Sequence, residues 1–432
     1  MLNVSPIQAP QNWSFLKKAA FRFSFIYIMQ YVLFNNNGAF FFVGAFQYFP
    51  TKVLHTLIPW FSEKVIHYKY DYTIFSNGSG DTSYDYVLIL CMILTALIGC
   101  IIWTALDTRR KNYDKLYYWL LVTVRFYLAF TLMLYGSVKI IKLQFPDPSL
   151  YRLLQPFGNS SPMGLAWTFL GFSKGYNIFM GLVEFSSAFL LFRKTMVIGA
   201  FLSLAAAAHV MSMNYFYDVP VKLLSTMLVL LSLFVLAPNF VRLYRFFVKN
   251  EPQQLKQVAP PVYKKKWQYI TVYSIKYLFI LLTLLGLYLH TVPMIKVYGS
   301  GAKKSPLYGI YNVKEFKLKG LLLPPLTSDS TRWEQITMDG PDYARVKLMN
   351  DSLLNYNVKI DQKKKEIIFE AVTEASPNFK FSYMTKGKEE LTFTGIKDDK
   401  DSVSITFSKK DLKEFKLTNR GFHWINEHPY NR

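Results

Sequence analysis

Residues 176–192 read YNIFMGLVEFSSAFLLF, an apolar run with one acid, Glu184, near its middle. A charge in hydrocarbon costs at least ~2.5–3.5 kcal/mol on insertion scales, so an embedded acid faces the interior of a helix bundle and seeks a partner. Working outward, Arg125, Lys139 and Lys276 also lie inside long apolar runs, and His209 lies near the end of another. Seven stretches read as membrane spans, roughly 20–40, 86–106, 117–141, 176–192, 195–216, 221–237 and 268–292. Their length and apolarity match what a bilayer requires of a helix. Asn35-Asn36-Asn37-Gly38 interrupts the first, which also reads as a shorter helix followed by an interfacial piece up to Trp60.

Composition agrees with a multi-pass α-helical membrane bundle. The 432 residues are 51% hydrophobic and 17% aromatic, with a net charge of +22. Up to Pro293 there are 26 Lys/Arg against 10 Asp/Glu, and 24 against 18 beyond it, so the basic excess belongs to the membrane part. Basic loops there fix orientation. No basic face on a soluble domain points to nucleic acid. Cys91 and Cys100 share one apolar segment, about 13.5 Å apart along a helix, too far to bridge. Residues 1–12 are polar and show no cleavable signal, so the first apolar run reads as an uncleaved span.

The Lys/Arg of the connecting segments divide 16 to one side and 7 to the other. The richer side is the cytoplasmic one. The reading is a bacterial inner membrane protein with a cytoplasmic N-terminus (1–19), two spans and an outer loop (20–116), a helical core (117–247), a basic cytoplasmic linker (248–267), a last span (268–293) and an extracytoplasmic, periplasmic domain (294–432). In that last part the period changes to two. Alternating stretches at 344–349, 354–360, 366–372, 379–385, 391–396, 403–408 and 414–418 predict a soluble antiparallel β barrel or sandwich. Phe379, Phe381 and Tyr383 share one face of a strand, and Val403, Ile405 and Phe407 one face of another. A packed aromatic core and a small barrel holding an apolar ligand both fit this pattern.

The third to sixth spans resemble the DoxX-like membrane family over 120–247. The residues that carry the resemblance are Arg125, Gly136 and Lys139 on one span and Gly181-Leu182-Val183-Glu184 on the next. The loop after Gln144, Gly78-Ser79-Gly80-Asp81-Thr82 and Arg420-Gly421-Phe422-His423-Trp424-Ile425 resemble landmarks of a Bacteroidetes-type subgroup with a C-terminal β domain. The resemblance implies a cell-envelope protein and, through the family's thiosulfate:quinone oxidoreductase subunits, a place in a quinone-linked redox system with a partner protein.

Candidate groups fall into two sets. Arg125 and Glu184 each lie about 12 Å from the inner end of their spans, which predicts an ion pair, read either as a clamp between helices or as a proton or substrate site. Nearer the outer surface, Tyr135, Lys139, His209, Asp218 and Lys222 read either as a quinone head-group site or as an interfacial belt. Catalytic candidates are therefore Glu184, Arg125 and His209. The Gly78–Thr82 loop lacks the ending of a phosphate loop and reads as a Gly-rich turn, with Asp81, Tyr84 and Asp85 as an alternative outer site. His423, Glu427 and His428 match no zinc spacing. The rival to redox chemistry is a membrane-anchored module whose outer β domain captures a lipid, a peptide or a protein.

Overall fold

The computed structural model describes residues 12–40, 43–70, 75, 80–256, 258, 260, 263, 265–299, 301–373, 376–387 and 389–431, without the side chains of 43–49. The chain forms two compact units. One joins Met1–Gln144 to Gly175–Pro293, and the other joins Phe145–Lys174 to Met294–Arg432. The segment Phe145–Lys174, which the sequence reading places inside the helical core, thus folds with the β strands.

The first unit is helical. Helix α1 (Phe15–Phe34) starts at Ser14, whose hydroxyl accepts from the Lys17 amide. It stops where the Asn36 side chain both donates to the Phe40 carbonyl and accepts from its amide, at 2.9 Å each. Helix α2 (Val43–Lys64) follows, so a helix ending at Phe34 and a separate one over the stretch to Trp60 replace a single span over 20–40. Next come α3 (Ser83–Leu106) and α4 (Asp114–Ile140). Two short helices, α5 (Leu150–Leu154) and α6 (Pro162–Phe172), belong to the other unit. Helix α7 (Lys174–Phe185) runs on as 3-10 turns over Ser186–Leu191. Then follow α8 (Met196–Phe216), α9 (Lys222–Leu236), α10 (Phe240–Phe247) and α11 (Lys266–Met294).

Among the described residues, five helical stretches are long and apolar enough to cross a membrane: α3, α4, α8, α9 with α10, and α11. The other two expected spans fall on α1, which carries Lys17, Lys18 and Arg22 near its start, and on α7 with its 3-10 continuation. Arg22 is buried and makes three hydrogen bonds. It donates to the Tyr113 hydroxyl (2.8 Å), the Thr104 hydroxyl (2.9 Å) and the Asp107 carbonyl (2.8 Å). Helix α4 is the core of this unit, with a continuous buried run from Val124 to Met133.

The second unit is built on a barrel. Strands β1 (Gly309–Leu318), β3 (Trp333–Met338), β4 (Tyr343–Leu348), β5 (Leu353–Asp361), β6 (Glu366–Ala371), β7 (Phe379–Lys386), β8 (Glu390–Lys397) and β9 (Asp401–Lys409) pair antiparallel in order, with a two-residue β2 (Leu321–Leu322) beside β1. Pairing of β1 with β9 closes the ring of eight long strands, which settles barrel against sandwich. The expected strand at 414–418 is instead 3-10 turns at Leu412–Glu414 and a short helix α12 (Lys416–Asn419), where Asp411 accepts from the Lys413 amide. The alternating faces of β7 and β9 both point inward. Phe379, Phe381, Val403, Ile405 and Phe407 are buried together with Trp333, Tyr356, Phe369 and Phe393. Ring centroids 5.0–6.5 Å apart fill the interior with edge-to-face and stacked contacts. Of the two alternatives left open by the sequence, this interior is the packed aromatic core.

Candidate functional site

The polar centre of the helical unit grows from two glycines. Helices α4 and α7 cross so closely that a Cβ on Gly136 would stand 2.6 Å from the Gly181 carbonyl oxygen, and one on Gly181 would stand 2.5 Å from the Gly136 carbonyl oxygen. Small residues at such crossings let backbones meet. One helical turn beyond each glycine stands a charge, Lys139 after Gly136 and Glu184 after Gly181. Lys139 Nζ donates to both Glu184 oxygens, at 2.7 and 2.8 Å, with the residues 3% and 4% exposed.

This corrects the expected Arg125–Glu184 pair. Arg125 is also buried, but its Nε and Nη2 donate to the Leu190 carbonyl at 2.8 and 2.6 Å. The cause lies in the local backbone. Past Phe185 the chain winds as 3-10 turns, which rise ~2.0 Å per residue against 1.5 Å in an α-helix. Leu190, close to the end of that segment, is thereby carried to the level of Arg125. The Ser187 hydroxyl donates to the Ala129 carbonyl at 3.1 Å on the same seam. Two anchors therefore tie α4 to the α7 segment, one ionic and one through a backbone carbonyl.

Around the ion pair, Lys139 Nζ lies 5.9 Å from the Tyr135 ring centroid, and His209 lies within electrostatic reach of Glu184 while remaining exposed on α8. Tyr135, Lys139, Glu184 and His209 thus form one neighbourhood. Asp218 and Lys222 form another. They pair with each other at 2.9 Å, and the Asp218 side chain is 84% exposed. Of the five candidate head-group residues, Lys139 is thus engaged by Glu184, and Lys222 by Asp218.

The Gly80-Asp81-Thr82 stretch has structural work. Gly80 and Asp81 adopt φ of +118° and +55°. That turn presents the Asp81 carboxylate to the start of α9, where it accepts from the Lys222 amide (2.6 Å) and the Leu223 amide (2.9 Å). Thr82 in turn caps α3 through a reciprocal box with Asp85. One tripeptide therefore caps two helices, and Tyr84 is buried against the His55 and Phe75 rings. Residues 78 and 79 of the motif lie outside the described residues. His423, Glu427 and His428 lie on an exposed tail.

Sequence reasoning missed a cleft in the second unit. About 430 Å³ lies between residues 151–159 and the outer faces of β3 and β4. Helix α5 is fixed there, with Ser149 accepting from the Arg152 amide and Asp339 accepting from the Leu150 amide at 3.0 Å. Arg345 stacks over Tyr151, its Cζ 3.8 Å from the ring centroid, and donates to Asn355 Oδ1 at 2.8 Å. Lys347 bridges Glu334 (2.8 Å) and Asp351 (2.7 Å). Leu154 and Leu353 add apolar wall. The only sequence signal was an alternation of charged residues on the solvent side of β4, which is ordinary for a strand.

The chain is 30% identical over 139 residues to a Bacillus subtilis (strain 168) protein described as "Uncharacterized protein YwoB", a match that takes in 32% of this chain and 86% of that protein. No family model matches the chain, and no solved structure matches it.

Proposed function

We propose that this chain, which belongs to the family of the Bacillus subtilis protein YwoB, is a membrane-anchored binding protein whose barrel unit grips a polar segment of a partner protein. The observation that carries this reading is the Tyr151–Arg345 stack in a 430 Å³ cleft of mixed charge. Tyr and Arg anchors with a polar rim are the composition of protein-binding hot spots. The filled barrel supports the same view, since a solid core makes a rigid platform. The excess of basic residues on one set of connecting segments supports a bundle in the bacterial inner membrane, with the N-terminus cytoplasmic and the barrel outside.

A photo-reactive amino acid at Leu353 in the full-length chain tests the reading in cells. The expected result is a discrete adduct of higher mass that a probe at exposed Thr394, on β8, does not give. Equal labelling at both positions would refute it. The isolated 294–432 fragment is unsuitable, because the cleft needs residues 151–159 as well.

A quinone-linked redox role remains the second reading. The neighbourhood of Tyr135, Lys139, Glu184 and His209, together with the DoxX-like resemblance, favours it. Purified protein that carries quinone and turns it over, with His209→Ala losing that activity, would promote it over the first.

A further inference from the structure

A second cavity lies in the helical unit, and its charges are of one sign. About 580 Å³ opens among α1, α4 and α11, beside the turn that holds Arg193 and under Pro260 and Tyr263. Arg125, Arg193 and Lys276 all line it, with Tyr118, Tyr263 and Tyr273, and among the described residues no carboxylate does. The three cations lie close enough to repel one another. Among the described residues none of them pairs with an acid. Arg193 donates to the Val258 carbonyl at 2.9 Å, Lys276 rests against the Phe192 and Tyr277 rings, and Arg125 donates through Nε and Nη2 to the Leu190 carbonyl. The rest of the wall is aliphatic and aromatic, including Phe126 stacked on Phe279 at 5.9 Å.

Three like charges converging on one apolar cavity are costly unless an anion joins them. The cationic turn and linker place them at the end of the bundle that carries the basic segments. We infer that this cavity binds an anionic glycerophospholipid, its phosphate held by Arg125, Arg193 and Lys276 and an acyl chain lying along the aromatic wall. Basic pockets between membrane helices recognise acidic head groups by the same chemistry. A free phosphate would satisfy the charges and leave the apolar wall bare, so the occupant is amphiphilic. The inference does not depend on the partner cleft, which belongs to the other unit.

Full-length protein in zwitterionic detergent provides the test. Phosphatidylglycerol should raise the unfolding temperature and remain bound in native mass spectra, whereas phosphatidylcholine and inorganic phosphate should do neither. Lys276→Gln and Arg193→Gln should each weaken phosphatidylglycerol retention about five-fold. Lys276→Arg, which keeps the charge, and Lys194→Gln, on the exposed neighbour of Arg193, should retain it. Equal stabilisation by phosphatidylcholine, or full reproduction of the effect by inorganic phosphate, would overturn the inference. So would a Lys276→Gln protein that unfolds normally without lipid and still holds phosphatidylglycerol as tightly as the parent.

Discussion

Replacing Glu184 by Gln removes the carboxylate that faces a buried ammonium. At 2.7 Å the Lys139–Glu184 attraction is ~6 kcal/mol at an effective dielectric near 20. Desolvation of the two ions offsets much of that, so the pair as a whole contributes little net stability. Breaking it from one side is different: the remaining charge keeps its desolvation cost and loses its partner, at about 3–5 kcal/mol. Glu184→Gln and Lys139→Met should each destabilise the bundle by that amount. The double variant Lys139→Met/Glu184→Leu should fall within about 2 kcal/mol of the parent, since apolar replacements of a buried pair are often neutral. Reversible unfolding in mixed micelles, read by tryptophan fluorescence, measures all three, and the coupling should be about 4 kcal/mol or more. Additive single losses would refute the reasoning, because they would mean that each charge interacts with something other than its partner.

Gly181→Ala should cost about 1–3 kcal/mol or more in the same assay, because its methyl group meets the Gly136 carbonyl oxygen at 2.5 Å and the helices must part. Asp81→Ala should lose about 1 kcal/mol by uncapping α9, while Asp81→Asn retains most of the effect. Among the described residues the buried Tyr356 hydroxyl has no hydrogen-bond partner, so Tyr356→Phe should leave the barrel as stable as before or up to ~1 kcal/mol more stable in thermal unfolding. Burial pushes the Asp339 carboxyl above its ordinary value, against the opposing pull of the Leu150 and Tyr151 amides. The folded protein then holds that proton more tightly than the unfolded chain. The resulting stabilisation is complete below about pH 3.8 and is lost as pH rises through the raised folded value. Asp339→Asn, which keeps an acceptor for Leu150, should match the parent near pH 3 and exceed it at pH 7 in thermal unfolding.

The long apolar helices and most of the barrel strands were legible because both rest on periodicity, which burial enforces. Strands β1 and β3 were not, since the stretch between them, with Pro324, Pro325 and a run of Ser and Thr, breaks the alternation. The stretch 414–418 alternates yet turns helical at the barrel's end. At the charge cluster the sequence named the right residues and the wrong partners. Arg125 and Lys139 share a face of α4, so either could meet Glu184, and depth alone had to choose. That choice assumed one continuous helix over 176–192. The 3-10 turns after Phe185 shift the register, and nothing in a hydropathy pattern reports them. The cleft at Tyr151 and the cation-lined cavity were invisible because each joins residues far apart in sequence.

The most direct test joins the two halves of the account, the ion pair as a clamp and the cleft as the working surface. It is the yield of the Leu353 photo-adduct in the Lys139→Met/Glu184→Leu protein. An undiminished yield is the expected result, because the bundle needs only to hold together. Loss of the adduct in a variant whose unfolding is unchanged would contradict it and assign the buried charges a part in the activity itself.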